Sequence, residues 1–126
     1  PDHLKVARAA CADCPQMEFE QAYLQDWIPA HDPPEVFDIV LALGIIHKLY
    51  DPAVPLRWAA RSCGDLLLFR APANAWDGWV TAKHKAPGAT ARTRCHVPTI
   101  MAEEGFRLER KIDGVRGEGV EHWRRT

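Results

Sequence analysis

The sequence predicts an α/β fold whose sheet is mostly parallel and ends in an antiparallel pair of strands. Two nearly continuous apolar segments, residues 36–46 and 65–70, have the composition of strands covered on both faces of a parallel sheet. Helical patterns alternate with these strands, as is typical of the α/β class. The last two predicted strands are joined through glycines without room for a crossover helix, so they must be antiparallel.

The residues before the first buried strand predict a helix, a strand and a loop. Apolar side chains recur at helical spacing between Leu4 and Cys14, which predicts a helix over residues 2–13. Residues 17–22 alternate apolar and polar side chains, as expected of a strand near the edge of a sheet. Three prolines in residues 27–34 then predict a loop.

The residues after the first buried strand predict two helices, a long loop and three strands. A helix that Gly64 ends is followed by the second buried strand. Residues 71–95 have no sustained periodicity and predict a long loop, a kind of segment that is usually functional. A short helix over residues 98–104 comes next, and residues 106–112 and 120–124 form the final strands.

Length and composition predict one soluble domain. A chain of 126 residues lies within the common domain size of about 100 to 150 residues. No apolar run approaches the roughly 18 residues of a membrane span, so membrane insertion is not expected. Sixteen basic and seventeen acidic residues give a net charge of −1, so the charge does not indicate nucleic-acid binding. The sequence shows no secretory leader, and we expect a processed or excised piece of a cytoplasmic protein.

Two of the four cysteines, Cys11 and Cys14, have the CxxC spacing of zinc and redox sites. The other two, Cys63 and Cys95, are single and distant, whereas a structural zinc site usually uses two close pairs. We therefore interpret Cys11 and Cys14 as packing residues and predict no metal. A thiol or zinc protein built on this pair is an alternative that metal analysis would distinguish.

Three motifs of the sequence resemble class I S-adenosylmethionine-dependent methyltransferase domains. Residues 37–52, FDIVLALGIIHKLYDP, resemble the family's segment around the fourth strand, where Phe-Asp leads to a His-His pair and Asp-Pro. Residues 61–68, RSCGDLLL, resemble the turn and fifth strand, with one residue fewer and without Pro-Gly-Gly. Residues 104–106, EGF, resemble the entry to the sixth strand. The whole chain, residues 1–126, looks like the C-terminal two-thirds of such a domain.

The resemblance implies a Rossmann-like methyltransferase sheet whose N-terminal strands are missing. The family's strand order is 3-2-1-4-5-7-6, and this chain would begin at the helix after the second strand and end at the last strand. The glycine-rich turn and the acidic strand end that hold S-adenosylmethionine in the family would precede it. We therefore expect the chain to be inactive alone, and another chain or a missing N-terminal segment to complete the sheet.

The resemblance also implies which residues of this chain contact the cofactor. Tyr23 and Leu24 would face the adenine ring, with Asp26 nearby, since Tyr23 stands where many relatives have an acidic residue. Leu43 and Gly44 would pass behind the sulfonium, and a glycine allows close approach of the backbone.

The candidate catalytic residue is His47, and Lys48 takes the second position of the His-His pair. His47 could remove a proton from the methyl acceptor, or it could orient the following loop through one hydrogen bond. In the long loop, where relatives admit the acceptor, Trp76 and Trp79 together with basic residues could stack a ring or hold an anion such as phosphate. The alternative for this loop is a solvated segment pinned by the two tryptophans.

These observations predict an enzyme that transfers a methyl group from S-adenosylmethionine to a small-molecule or macromolecular acceptor. The alternative is a non-catalytic, methyltransferase-like module that binds a partner. A glycine-rich turn and an acidic strand end upstream of this chain would favour the enzyme.

Overall fold

The computed structural model describes residues 2–73, 75, 77–114, 116 and 118–126 of the chain. The helices are α1 (Asp2–Ala10), α2 (Leu24–Ala30), a 3₁₀ helix (Ile46–Lys48), α3 (Ala53–Arg61) and α4 (Val97–Glu103). The strands are β1 (Phe37–Leu43), β2 (Cys63–Arg70), β3 (Trp79–Thr81), β4 (Arg94–His96), β5 (Phe106–Asp113) and β6 (Gly119–Arg125). Among the described residues, none of the helices has the length and apolar character needed to cross a membrane.

Four of the strands form one mixed sheet with the order β1-β2-β6-β5. β1 and β2 are parallel, and β6 is antiparallel to both of its neighbours, so β6 is the single reversed strand of this sheet. This order confirms the 4-5-7-6 order that the sequence resemblance implies for the last four strands. β3 and β4 form a separate antiparallel pair that covers part of the sheet.

The core lies on one face of the sheet. Leu67 and Phe69 of the central strand β2 point to this face and are almost completely buried. Leu56 from α3 and Met101 from α4 pack into the same apolar cluster, as does Trp123 of β6. Burial of these side chains provides the main driving force for folding, at roughly 25 cal/mol per Å² of apolar surface.

The opposite face of the sheet is uncovered at β1. Ile39, Leu41 and Leu43 alternate with the inward-facing Val40 and Ala42, and they are 57%, 58% and 43% exposed. β1 is also the end strand of the described sheet, so one of its edges has no strand partner there. A long apolar edge strand of this kind promotes association with other chains.

Two predictions for the N-terminal third were wrong. Residues 17–22 do not form a strand, because alternation alone does not make a strand without a neighbour to accept its backbone hydrogen bonds. The first half of the loop predicted over residues 27–34 is the end of α2, which buries Ile28. Pro29 is the sixth of seven helical residues, where its missing N–H removes a single bond.

Three further predictions need correction. Residues 71–95 are not wholly irregular, since the loop contains β3 and pairs it with β4 at the boundary of the loop. Gly64 does not end α3, because Ser62 caps that helix and β2 begins at Cys63. The helix predicted over residues 2–13 is shorter and ends at Ala10.

The C-terminal Arg125 is a structural residue rather than a simple surface charge. Its guanidinium donates hydrogen bonds to the main-chain carbonyls of Ala60, Cys63 and Glu104 at 2.7 to 3.1 Å. It also lies 4.4 Å from the centre of the Phe106 ring. One side chain thus joins the end of α3, the start of β2 and the end of α4 to the last strand.

We expect the isolated chain 1–126 to self-associate through β1, because its apolar face and free edge are exposed together. Ile39→Lys and Leu41→Lys should each shift the sedimentation profile towards monomer, since a charge on an edge opposes strand pairing. Leu108→Lys is the matched control, because Leu108 is 46% exposed on β5 at the other end of the sheet. A monodisperse wild-type monomer with a cooperative thermal transition would contradict this expectation.

Replacement of Arg125 by Met in the full-length protein should lower the free energy of unfolding by about 2 kcal/mol, because buried carbonyls lose their donors. The neighbouring Arg124 is the control, since its ion pairs with Glu109 and Asp65 are exposed and Arg124→Met should have a smaller effect. Urea unfolding measures both variants. Equal effects would place Arg125 among ordinary surface charges.

Candidate active site

The candidate site is a cavity at the carboxyl ends of β1 and β2. Parallel pairing brings these two strand ends together, and ligands of open α/β sheets bind at such a position. The cavity has a volume of about 460 Å³, within the size range of small-molecule sites. Its wall consists of Gly44, His47, Lys48, Arg70, Ala71, Pro72, Ala73, Lys83 and Glu118.

Gly44 turns the chain from β1 towards the 3₁₀ helix. Its φ of +69° lies in the left-handed region that favours glycine. Apart from the two neighbours of Gly44 in the chain, no heavy atom of the described residues lies within 4 Å of the position that a Cβ would take, so the space beside this backbone is open to a ligand.

The 3₁₀ helix fixes His47 in the cavity wall. Ile46 and Leu49, on either side of the His47–Lys48 pair, are buried and anchor the segment to the core. The main-chain N–H of Lys83 donates a hydrogen bond to the carbonyl oxygen of His47 at 2.7 Å. This main-chain bond attaches the long loop, residues 71–95, to the 3₁₀ helix. The imidazole of His47 takes no part in this bond to the long loop.

The His47 imidazole has a buried Nδ1 atom that finds no hydrogen-bond partner among the described residues. Burial lowers the pKa of His47 below its usual value, and the positive charges of Lys48 and Lys83 lower it further. Glu118 acts in the opposite direction. The site thus favours a neutral imidazole, the form able to accept a proton.

The remaining charges of the wall are unevenly paired. Arg70, at the end of β2, contacts Glu118 at 2.6 Å. Neither Lys48 nor Lys83 has a carboxylate oxygen within 4.0 Å among the residues that the structure describes.

The structure brings together only some of the predicted cofactor residues. Gly44 lines the cavity, and Leu43 precedes it with its side chain on the uncovered face of β1. Tyr23, Leu24 and Asp26 do not line this cavity. Because the predicted strand before Tyr23 is absent, no strand end places these residues at the sheet edge.

Leu24 and Tyr23 occupy different environments at the start of α2. Leu24 lines a smaller, apolar cavity of about 80 Å³ with Leu41 and Ile45, beside the end of β1. Tyr23 precedes the helix and is 79% exposed, and Asp26 is exposed in the first turn.

Trp79, a predicted acceptor contact, lies in β3 and is 38% exposed. The Arg94 guanidinium lies 4.4 Å from the centre of its ring, and the His96 ring lies 4.9 Å from it. These contacts with β4 fit the alternative interpretation, in which Trp79 anchors the long loop to its neighbours and does not contact the acceptor. Trp76, the other predicted contact, lies outside the described residues.

Sequence reasoning did not assign Arg70 or Glu118 to the site. Arg70 carried a usable signal, because it ends a predicted parallel strand and such ends line ligand sites. Glu118 carried none, since its place in the wall depends on how the β5–β6 hairpin meets β2.

The cysteines lie apart from this cavity. Burial raises the pKa of the Cys95 thiol to about 11 and also raises the pKa of Cys63, so neither is an activated nucleophile. Cys11 and Cys14 are half-buried free thiols. The described residues contain no group of three or more His, Cys, Asp or Glu side chains that could hold a metal ion.

The fold defined by this sheet order and by the helices on its core face is that of class I S-adenosylmethionine-dependent methyltransferases. No protein-family model matches the sequence, and no curated protein matches it either. The fold similarity is therefore to solved structures.

Two crystal structures of magnesium protoporphyrin IX methyltransferase from Synechocystis PCC 6803 share this fold. The structure with bound S-adenosylmethionine has a TM-score of 0.61 at 18% identity, over 97% of this chain and 52% of that chain. The structure with bound S-adenosylhomocysteine has a TM-score of 0.62 at 16% identity, over 97% of this chain and 57% of that chain. The present chain thus spans about half the length of these methyltransferases.

The pKa of His47 provides a direct test of the site's electrostatics. In the full-length protein, NMR titration should give a pKa below about 6.5. Lys83→Met should raise the pKa because a repelling charge is lost, and Glu118→Gln should lower it further. Lys85→Met, which removes an exposed charge outside the cavity wall, is the control. An unchanged pKa in Lys83→Met would show that the ammonium group lies away from the ring.

The same shift predicts how stability depends on pH. The folded state binds the His47 proton more weakly than the unfolded state does. The contribution of His47 to the free energy of unfolding is therefore complete above about pH 6.5, the pKa of this residue in the unfolded state. It is lost as the pH falls towards the lower pKa of the folded state.

Proposed function

We propose that the protein containing this chain transfers a methyl group from S-adenosylmethionine to an acceptor. The observation that carries the proposal is the cavity at the carboxyl ends of β1 and β2, where Gly44 and His47 meet. The similarity of the fold to methyltransferases crystallised with this cofactor supports it.

The backbone at Gly44 has room for the sulfonium side of the cofactor. S-adenosylmethionine, when bound, supplies a methyl group on a positively charged sulfur. Gly44 leaves open space beside its backbone, and Leu43 would complete the contact. We assign Tyr23, Leu24 and Asp26 to the adenine side, where Leu24 contributes to an apolar cavity next to β1.

His47 is the residue for proton removal in this proposal. His47 lines the cavity, and the neutral imidazole that its lowered pKa favours is the form able to accept a proton from a hydroxyl or amine. Alignment of the acceptor supplies much of the rate, so loss of His47 should reduce turnover without abolishing it. Trp79, with Trp76, is proposed to contact the acceptor from the long loop.

The free edge of β1 suggests how the site is completed. We propose that a preceding segment or another chain pairs with this edge and covers Ile39, Leu41 and Leu43. The exposure of these side chains supports the proposal, as does the span of about half of the two methyltransferase chains. The remaining cofactor contacts would come from that added part, so activity belongs to the complete assembly.

The second candidate function is a non-catalytic module that docks onto a partner. The same exposed apolar surface of β1 favours it, because large exposed apolar patches mark interaction sites. The two candidates differ in whether the complete protein binds the cofactor.

Calorimetric titration of the full-length protein with S-adenosylmethionine and S-adenosylhomocysteine tests the enzyme. Both ligands should bind, whereas chain 1–126 alone should not bind either at micromolar concentration. Gly44→Val should weaken binding on the order of tenfold, since a branched residue resists this positive φ and crowds the ligand.

The matched control for Gly44 is Gly88→Val. Gly88 has a φ of +79° and, like Gly44, open space around its Cβ position, but it does not line the cavity. Its substitution should leave the affinity unchanged. Equal losses in both variants would remove Gly44 from the site, and lack of binding by the wild-type protein would favour the non-catalytic module.

A further inference from the structure

The cavity at the ends of β1 and β2 has an excess of positive charge. Its described wall contains three cationic side chains, Lys48, Arg70 and Lys83, and one carboxylate, Glu118. With His47 neutral the wall therefore has a net charge of +2, whereas the whole chain has a net charge of −1. Glu118 already contacts Arg70, so the excess lies on the two lysines.

Both lysines flank His47. Lys48 follows it in the 3₁₀ helix, and the main chain of Lys83 is bonded to the His47 carbonyl. The positive charges of both lysines lower the pKa of the imidazole between them. Two ammonium groups without a carboxylate partner among the described residues thus line one cavity beside His47.

Under the proposed function, the excess positive charge of the wall would repel the cofactor. S-adenosylmethionine has a sulfonium, an ammonium and one carboxylate, so it brings a net charge of +1 into a cavity whose wall is already positive. Lys48 and Lys83 are exposed, so water and salt screen part of this repulsion. The donor's own carboxylate does not balance the wall, and an anionic second ligand would offset the remaining positive charge.

Resting on the proposed function, we propose that the methyl acceptor is an organic anion whose carboxylate or phosphate group is bound by Lys48 and Lys83 beside His47. Ammonium groups form short, charge-assisted hydrogen bonds to such oxyanions. The bound anion would offset the repulsion of the sulfonium and hold the acceptor's reactive atom near the imidazole of His47.

The test uses inorganic phosphate as a probe of the full-length protein saturated with S-adenosylhomocysteine. Phosphate should shift the His47 ring proton resonances saturably. Its affinity should fall on the order of tenfold in the Lys48→Met, Lys83→Met double variant, because two charge-assisted contacts are lost. Lys85→Met, an exposed lysine of the same loop outside the cavity wall, should bind phosphate as the wild type does.

The cofactor provides a second readout. The double variant should bind S-adenosylmethionine more tightly than the wild type does, because the repulsion is reduced, while its affinity for S-adenosylhomocysteine is unchanged. Loss of S-adenosylhomocysteine affinity in the double variant would overturn the proposal by assigning the lysines to the donor's carboxylate. Unchanged phosphate affinity, or an equal loss in Lys85→Met, would also overturn it.

Failure of this inference is distinguishable from failure of the proposed function. A wild-type protein that does not bind S-adenosylhomocysteine contradicts the methyltransferase assignment itself. A protein that binds S-adenosylhomocysteine but shows no saturable phosphate effect contradicts only the anionic acceptor.

Discussion

The parallel pairing of β1 with β2 determines where the functional part of this chain lies. The register runs from Ile39 opposite Leu66 to Leu43 opposite Arg70, so both strands end at the same edge. Gly44 and Arg70 consequently meet there, and the 3₁₀ helix places His47 beside them. Burial of β2 in the core, with β6 on its other side, holds this register.

The sheet could be predicted because its signals are local. The sequence shows the apolar runs of β1 and β2 and the glycine-joined hairpin of β5 and β6. Gly44 and His47 could be placed at the site because they come shortly after the end of β1 in the chain. The strand expected over residues 17–22 failed because strand formation requires a partner. The place of Lys83 in the wall was not predictable, since a main-chain bond to His47 fixes the long loop there and such a bond leaves no pattern in the sequence.

The uncovered side of β1 and the partial cofactor site that we propose have a common physical explanation. A strand with Ile39, Leu41 and Leu43 on an open face is suited to a covered position within a larger sheet. Gly44 and His47 line the described cavity, while Tyr23, Leu24 and Asp26 lie outside it. Under the proposed function, a segment added at β1 would pair with the free edge, cover the apolar face and supply further cofactor contacts.

A crystal structure of the full-length protein with S-adenosylhomocysteine tests the central claim most directly. The account predicts electron density for the ligand's sulfur beside Gly44, in the cavity that His47 lines, and a strand paired with the free edge of β1. Ligand density away from the carboxyl ends of β1 and β2, with the β1 edge still unpaired, would contradict the account.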